Sequence, residues 1–250
     1  MSGFKTKSFI VPDWPVPARV KSISTTRLHG FSTDVYSSNN LGLHVGDNAA
    51  IVQANRQKLR NDADLPSEPL WLNQIHSNQV VYAGDIKNNV DADASFADKS
   101  SQVCVVMTAD CLPVLFANEN GTKVAAVHAG WRGLLDGILE NTVEKLAQNG
   151  ERIMAWLGPA IGPGAFEVGE EVVSAFVEKN VNAESAFQRI NGRDKWLADI
   201  YQLAIQRLKA NGVIDIYGGE FCTYSDKNRF YSYRRDGVCG RMASLIWLDK

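Results

Sequence analysis

Histidine is scarce in this chain. Its 250 residues contain four: His29, His44, His76 and His128. Imidazole is the usual copper ligand, so four cannot furnish a type 1 copper site together with a trinuclear copper cluster. One small metal site is the ceiling. Cysteine is as sparse, with Cys104, Cys111, Cys222 and Cys239. Four thiols do not make a disulfide scaffold, and without a CxxC pair there is neither a zinc ribbon nor a thioredoxin-like motif. Positive charge is not in surplus either: 26 Lys and Arg face 28 Asp and Glu, a formal net charge of −2. A nucleic-acid partner bound through phosphate neutralisation is therefore not expected. No apolar run approaches the ~20 residues of a membrane-spanning helix. The opening segment, broken early by proline, has no signal-peptide core. These absences lead to the expectation of a cytoplasmic protein with reduced thiols and no membrane partner. Repeats, low-complexity tracts and Pro/Gly/Ser-rich linkers are missing too, so residues 1–250 read as a single domain. A chain of this length buries a full core without staples.

What is present is a series of short apolar runs. Lys7–Val11 and Val20–Thr26 are dense in β-branched residues and read as strands. Val103–Thr108, Leu112–Ala117, Lys123–Val127 and Arg152–Leu157 are continuous apolar runs, the pattern of strands covered on both faces. Asp47–Asn48 caps a helix over Ala49–Asn61. Leu135, Ile138, Leu139, Thr142 and Leu146 recur at helical spacing and predict a helix over Arg132–Gln148, stopped by Asn149–Gly150. Further helices are expected over Gly169–Lys179 and Lys195–Ala210, the second ending at Asn211–Gly212. The tail from Ile214 to Trp247 reads as short strands and loops. Strands and helices interleave without a strict βαβ rhythm, which predicts an α/β (α+β) fold built on a mixed sheet.

Three polar residues interrupt or end these runs. Cys111 follows VCVVMT in TADCLPV, His128 ends KVAAV in VHAGWRG, and His76 follows WLNQI in NQIHSN. All three fall where an expected strand gives way to a turn, and binding sites in open α/β sheets form outside strand ends. One Cys and two His is a donor set that zinc favours, with a fourth tetrahedral position left for water or substrate. The alternative from the same residues is a nucleophilic Cys111 activated by His128, with Asp110 or another carboxylate orienting the imidazole. Plain packing of two hydrogen-bonded histidines and a small buried thiol is the third. Arg132, beside Trp131 at an expected helix start, is a candidate anion ligand. Gly158–Gly169 is Gly/Pro-rich without being a P-loop or GxGxxG. Phe230–Gly237 sets aromatics beside Arg234 and Arg235, a mix able to stack a base and hold a phosphate. His29 and His44 lie in polar, Gly-containing loops and receive no metal role. Cys104, Cys222 and Cys239 receive no catalytic one.

The series TTRLHGFS, NLGLHVGD, NQIHS, TADCLPV, VHAGWRG, GPAIGPGAFEVG and FYSYRRDGVCGRMAS, running in order from residue 25 to residue 244, resembles the YfiH family. That family is also called laccase-domain or multicopper polyphenol oxidase-like. The resemblance implies one α/β domain, a mixed-sheet sandwich with helices, and a zinc held by His76, Cys111 and His128. Copper is the alternative metal, because raw affinity favours it and availability decides. The family's names imply three activities: polyphenol oxidase, purine nucleoside phosphorylase with adenosine deaminase and methylthioadenosine phosphorylase activity, and peptidoglycan editing. Zinc has no redox chemistry, and a lone His₂Cys set lacks the cluster that reduces dioxygen. The expectation is therefore a zinc-dependent phosphorylase of adenosine, inosine and S-methyl-5′-thioadenosine that also deaminates adenosine. A cell-wall precursor editing hydrolase is the alternative. The expected partners are a purine nucleoside and phosphate, with Arg132, Arg234 or Arg235 holding the anion. The zinc deaminases carry an HxE glutamate. Here Ser77–Asn78 follows His76 and Ala129–Gly130 follows His128, so Asp110 is the remaining candidate acid or base.

Overall fold

The structure is a computed structural model that describes residues 9–84, 89–147 and 150–250. Lys7 and Ser8 of the first expected strand, and Gln148 and Asn149 at the expected helix end and stop, lie outside the described residues.

The apolar runs become two sheets packed face to face. One has four antiparallel strands in the order Phe9–Ile10, Val20–Thr25, Met242–Leu248, Val103–Thr108. The other has six, in the order Asp215–Gly218, Ile153–Leu157, Leu112–Asn118, Val124–Ala129, Ala94–Ala97, Val80–Tyr82. Its two outermost pairings are parallel and its inner ones antiparallel, so the sheet is mixed. The period-2 geometry of a strand sends alternate side chains to opposite faces. Cys104 and Val106 thus meet Leu115, Ala117, Val124, Ala126 and Trp156 between the sheets. Val103, Val105 and Met107 point the other way, onto Leu59, Ala63 and Trp71. Leu112, Val114 and Phe116 pack against Leu134, Ile138, Leu139, Leu203 and Ala204 of the helices outside the larger sheet. Both sheets are covered on both sides, which is why their strands carry continuous rather than alternating apolar residues.

Asn48 caps the helix Ala49–Asp62, its side chain accepting from the Ala50 and Ile51 amides. Three expectations are corrected. The helix expected over Arg132–Gln148 is two, Trp131–Leu135 and Ile138–Leu146, divided at Gly137 with φ +93°. The segment Lys195–Ala210 opens as a strand, Trp196–Ala198, in a small three-stranded sheet. Its helix begins only at Ile200, where the Asp199 carboxylate accepts from the Gln202 amide and sets a helix start. The tail contributes a seven-residue strand, Met242–Leu248, which lies inside the four-stranded sheet. Among the described residues, no helix is long and apolar enough to cross a membrane.

The feature that places the site is a turn between sheets. The chain leaves the four-stranded sheet at Thr108 and enters the six-stranded one at Leu112. Asp110, within that turn, has φ +92°.

Candidate metal centre and active site

The inter-sheet turn presents Cys111. The end of the neighbouring strand presents His128, whose Cα faces Pro113 across the ladder. The loop before Val80 presents His76, with φ +61°. These three converge. Their ligand atoms all lie within 4.8 Å of one another, the one such group of His, Cys, Asp or Glu among the described residues. Cys111 Sγ is 3.8 Å from His76 Nε2, and the two imidazoles meet edge to face with centroids 4.8 Å apart. Gly130 makes room for them, since a Cβ there would stand 2.8 Å from His76 Cδ2 and 3.2 Å from Cys111 Sγ.

A residue that sequence reasoning missed holds the group together. Asp93 is fully buried. Its Oδ1 is 2.7 Å from His128 Nδ1 and accepts from the His76 amide at 3.0 Å. Its Oδ2 accepts from the Ile75 and Ser77 amides and from the Ser77 hydroxyl. One carboxylate therefore fixes the His76 loop and the ring of His128. Burial opposes the ionisation of Asp93. The hydrogen bonds from His128 and Ser77 outweigh it and hold the carboxyl below its usual range.

Burial likewise opposes a thiolate at Cys111, yet the His128 charge and the hydrogen bonds from both imidazoles bring its pKa down to about 6. His128 moves the opposite way, to about 9: the Cys111 charge and the Asp93 hydrogen bond overcome burial. Free of metal, both shifts favour a thiolate beside an imidazolium at neutral pH.

The donor set suits a tetrahedral metal on three grounds. The surroundings of the thiol already favour its ionised form. The bond to Asp93 occupies His128 Nδ1 and leaves Nε2 as the ligating nitrogen, the usual role of a carboxylate behind a metal-bound imidazole. The 3.8 Å between Sγ and Nε2 is close to the roughly 3.5 Å that separates two ligands on one zinc.

The group opens onto a cavity of about 460 Å³ that runs over Cys111 and His76 to Trp131, Arg132, Phe166, Lys195 and Arg234. Comparison with known proteins agrees with this architecture. Residues 21–249 match the family described as multi-copper polyphenol oxidoreductase laccase. The chain belongs to this family. Within it, proteins of Shigella flexneri and Escherichia coli named purine nucleoside phosphorylase YfiH are 55% identical over 240 residues, covering 96% of this chain and 98% of theirs. The crystal structure of Neisseria meningitidis protein NMB0706 superposes with a TM-score of 0.92 at 50% identity, covering 98% of this chain and all of that one. That of YlmD from Geobacillus stearothermophilus gives 0.88 at 28% identity, with 98% of each chain covered.

In this laccase-family member, the remaining sequence candidates part company. Asp110 is not directed at the trio. Its Oδ1 accepts from Thr223 Oγ1 at 2.6 Å, and its Oδ2 from Ser232 Oγ and the Arg234 amide. It anchors the Ser232–Asp236 turn, and the carboxylate that orients His128 is Asp93. Arg235 is not brought to the cavity: its guanidinium serves Asp236 and the carbonyls of Thr223, Tyr224 and Phe230. Arg234 does reach it, standing over Phe166 while Nη1 donates to the Glu167 carbonyl. Arg132 lies over the Trp131 ring at 4.3 Å. Among the described residues it has no carboxylate partner, and neither does Lys195, which the sequence reading did not single out. Of the cavity's own carboxylates, Glu167 is paired with Arg193 and Glu171 folds back against Gly169. The helix behind Arg132 has only five residues, so the guanidinium rather than a helix dipole supplies the positive charge.

Proposed function

We propose that this chain is a zinc-dependent purine nucleoside phosphorylase acting on adenosine, inosine and S-methyl-5′-thioadenosine, with adenosine deamination as a second activity. The observation that carries the reading is the juxtaposition of the His76–Cys111–His128 donor set with a cavity holding Arg132, Lys195 and Arg234, which have no carboxylate partner among the described residues. Phosphorolysis needs an anion held beside the reacting carbon, and unpaired guanidinium groups are the side chains best suited to grip a phosphate. A cavity of this size lies in the range of small-molecule sites. The names of the Shigella and Escherichia relatives support the same activity.

In this reading Arg132 and Arg234 orient phosphate, and Lys195 adds charge at the cavity wall. Trp131 and Phe166 exclude water from the reacting pair. His76, Cys111 and His128 hold the metal, with Asp93 keeping His128 in the ligating tautomer. Zinc bound there supplies a Lewis acid close to the reacting bond. We place the protein in the cytoplasm, where its four free thiols stay reduced.

The test is direct. The protein is purified without added metal, its zinc and copper are quantified, and it is incubated with adenosine with and without phosphate. We expect zinc near one per chain, and adenine with ribose-1-phosphate only when phosphate is present. Inosine formed regardless of phosphate reports the deaminase. Zinc without nucleoside consumption overturns the reading.

One observation favours a second reading. Cys111, His128 and Asp93 form a thiolate–imidazole–carboxylate line of the kind that activates a nucleophilic cysteine. That arrangement suits a hydrolase of amide bonds in a cell-wall precursor. Such an enzyme would retain turnover after chelation, whereas the phosphorylase would lose it.

A further inference from the structure

A second cavity, of about 400 Å³, also reaches the donor set. It shares His76, Cys111 and Tyr233 with the first and adds His44, His128 and Arg241. Among the residues it adds, His44 and Arg241 come from distant parts of the chain and are locked together by Asn40, which is fully buried. The Asn40 Oδ1 accepts from the Gly42 and Arg241 amides, both at 2.9 Å, and its Nδ2 donates to Asp47 at 3.0 Å. The Tyr36 hydroxyl donates to the Val45 carbonyl at 2.7 Å and pins the turn that carries His44. The Arg241 stem lies directly on Gly42, where a Cβ would come within 2.9 Å of Arg241 Cγ.

Neither group is consumed by the fold. His44 makes no hydrogen bond among the described residues. Arg241 uses Nη1 on the Cys239 and Gly240 carbonyls and lies over the Tyr233 ring, with Nε and Nη2 left over. His44 is exposed at the cavity mouth, so its ring nitrogens are open to a ligand. An imidazole carries at least one N–H donor. Met107, Ala109 and Tyr233 make the walls apolar and aromatic. The first cavity gathers three cations suited to an anion. This one sets the donors of His44 and Arg241 beside Met107 and the Tyr233 ring, a mix suited to a neutral heteroaromatic ring.

We propose that the second cavity receives the departing purine, with His44 and Arg241 donating hydrogen bonds to the acceptor edge of its five-membered ring. The inference rests on the phosphorolysis reading and divides the reactants between the two cavities. In the step, a phosphate oxygen bonds to C1′ while the C1′–N9 bond breaks. The electron pair passes to the purine and spreads onto N7, where the two donors meet it. The proton lost by hydrogen phosphate is balanced by the one the purine gains, and nothing is oxidised or reduced.

The experiment is calorimetric titration of the zinc-loaded full chain with adenine and with 7-deazaadenine, which lacks the N7 acceptor. It is run beside steady-state kinetics with adenosine and phosphate. The wild-type protein should bind adenine about tenfold more tightly, the effect of one hydrogen bond. His44→Ala and Arg241→Met should each reduce that preference, together erase it, and raise the adenosine KM, with zinc content, melting temperature and phosphate KM unchanged. His44 is exposed, and methionine keeps much of the stem that rests on Gly42, so both variants should fold. Arg132→Ala should do the reverse, raising the phosphate KM alone. Equal wild-type affinity for the two bases, a preference that survives both substitutions, or a phosphate KM that rises in the His44 and Arg241 variants would each overturn the proposal. A wild-type protein that shows the adenine preference yet cleaves no nucleoside would sink phosphorolysis while leaving the base site standing.

Discussion

The hairpin of Leu112–Asn118 and Val124–Ala129 has polar residues at both ends, and the ends are unlike. At the turn end, Asn118 is as buried as the apolar residues before it. Its Oδ1 accepts from the Thr122 and Lys123 amides at 2.8 and 2.9 Å, and its Nδ2 donates to Thr122 Oγ1 at 2.7 Å. Its side-chain amide is engaged through both of its atoms, and the residue closes a loop. At the other end, where Leu112 faces Ala129, the polar residues are Cys111 and His128. Their charges are set by each other, and two cavities with unpartnered donors open beside them. Buried polar groups are normally satisfied. Within one pair of strands, a polar residue bonded to local amides builds the fold, whereas Cys111 and His128 are bonded to other titratable side chains beside an open cavity.

The contrast can be broken by substitution. Cys111→Ala should cause the largest change: loss of stoichiometric metal and a fall in turnover of more than about 1,000-fold, since it removes a ligand and opens the site. Its melting temperature should stay close to that of the metal-free wild type. Metal analysis together with the nucleoside assay checks this, and a variant that keeps zinc and turnover would remove Cys111 from the ligand set. Asp93→Asn is the next largest. It keeps the shape but weakens the orientation of His128 and the grip on three amides, so metal affinity should drop about 10- to 100-fold. Competition with a chromophoric chelator measures it.

Asn118→Ala should act in the opposite sense on the two readouts. It leaves the Thr122 and Lys123 amides without their partner, at about 2 kcal/mol of stability, while metal content and kinetics stay at wild-type values. Denaturant unfolding gives the first number. The smallest effect sharpens the comparison in the metal-free protein. A thiol with a pKa near 6 is mostly thiolate at pH 7 and mostly protonated at pH 5. Because the thiolate is the reactive form, alkylation of Cys111 should slow about tenfold across that interval. Cys104, pushed up to about 12 by burial between the sheets, should stay unmodified throughout. Mass spectrometry of the labelled peptides separates the two.

The same contrast explains what could be read in one dimension. Cys111 and His128 stood out because each ends or interrupts an apolar run, and a polar residue at a strand end is visible without a structure. Asp93 was not visible. It lies in DADASFA, where Asp91 and Asp93 look alike. Only the folded chain shows Asp91 exposed and bonded to Asn73 while Asp93 is buried under both histidines. Arg234 and Arg235 are neighbours with the same chemistry. A single turn, Tyr233–Asp236, sends one to the cavity and the other to Asp236 and nearby carbonyls. His44, Lys195 and Arg241 reach the site through the closure of sheets and loops, which no local pattern records. The strand at Trp196–Ala198 was hidden for a similar reason, since it forms by pairing with distant strands, while the break at the left-handed Gly137 was masked by helical spacing that continues on both sides of it.

His76 offers one more consequence. It holds a left-handed backbone, φ +61°, a conformation that costs a residue with a Cβ roughly 1–2 kcal/mol and costs glycine little. His76→Gly should therefore remain folded, and any relief of that strain would favour the variant while deleting a ligand. Heat-resistance screening and screening for turnover pull in opposite directions at this position. In a library of the metal-free protein selected only for survival at high temperature, codon 76 is one place where function would be traded for a sturdier scaffold.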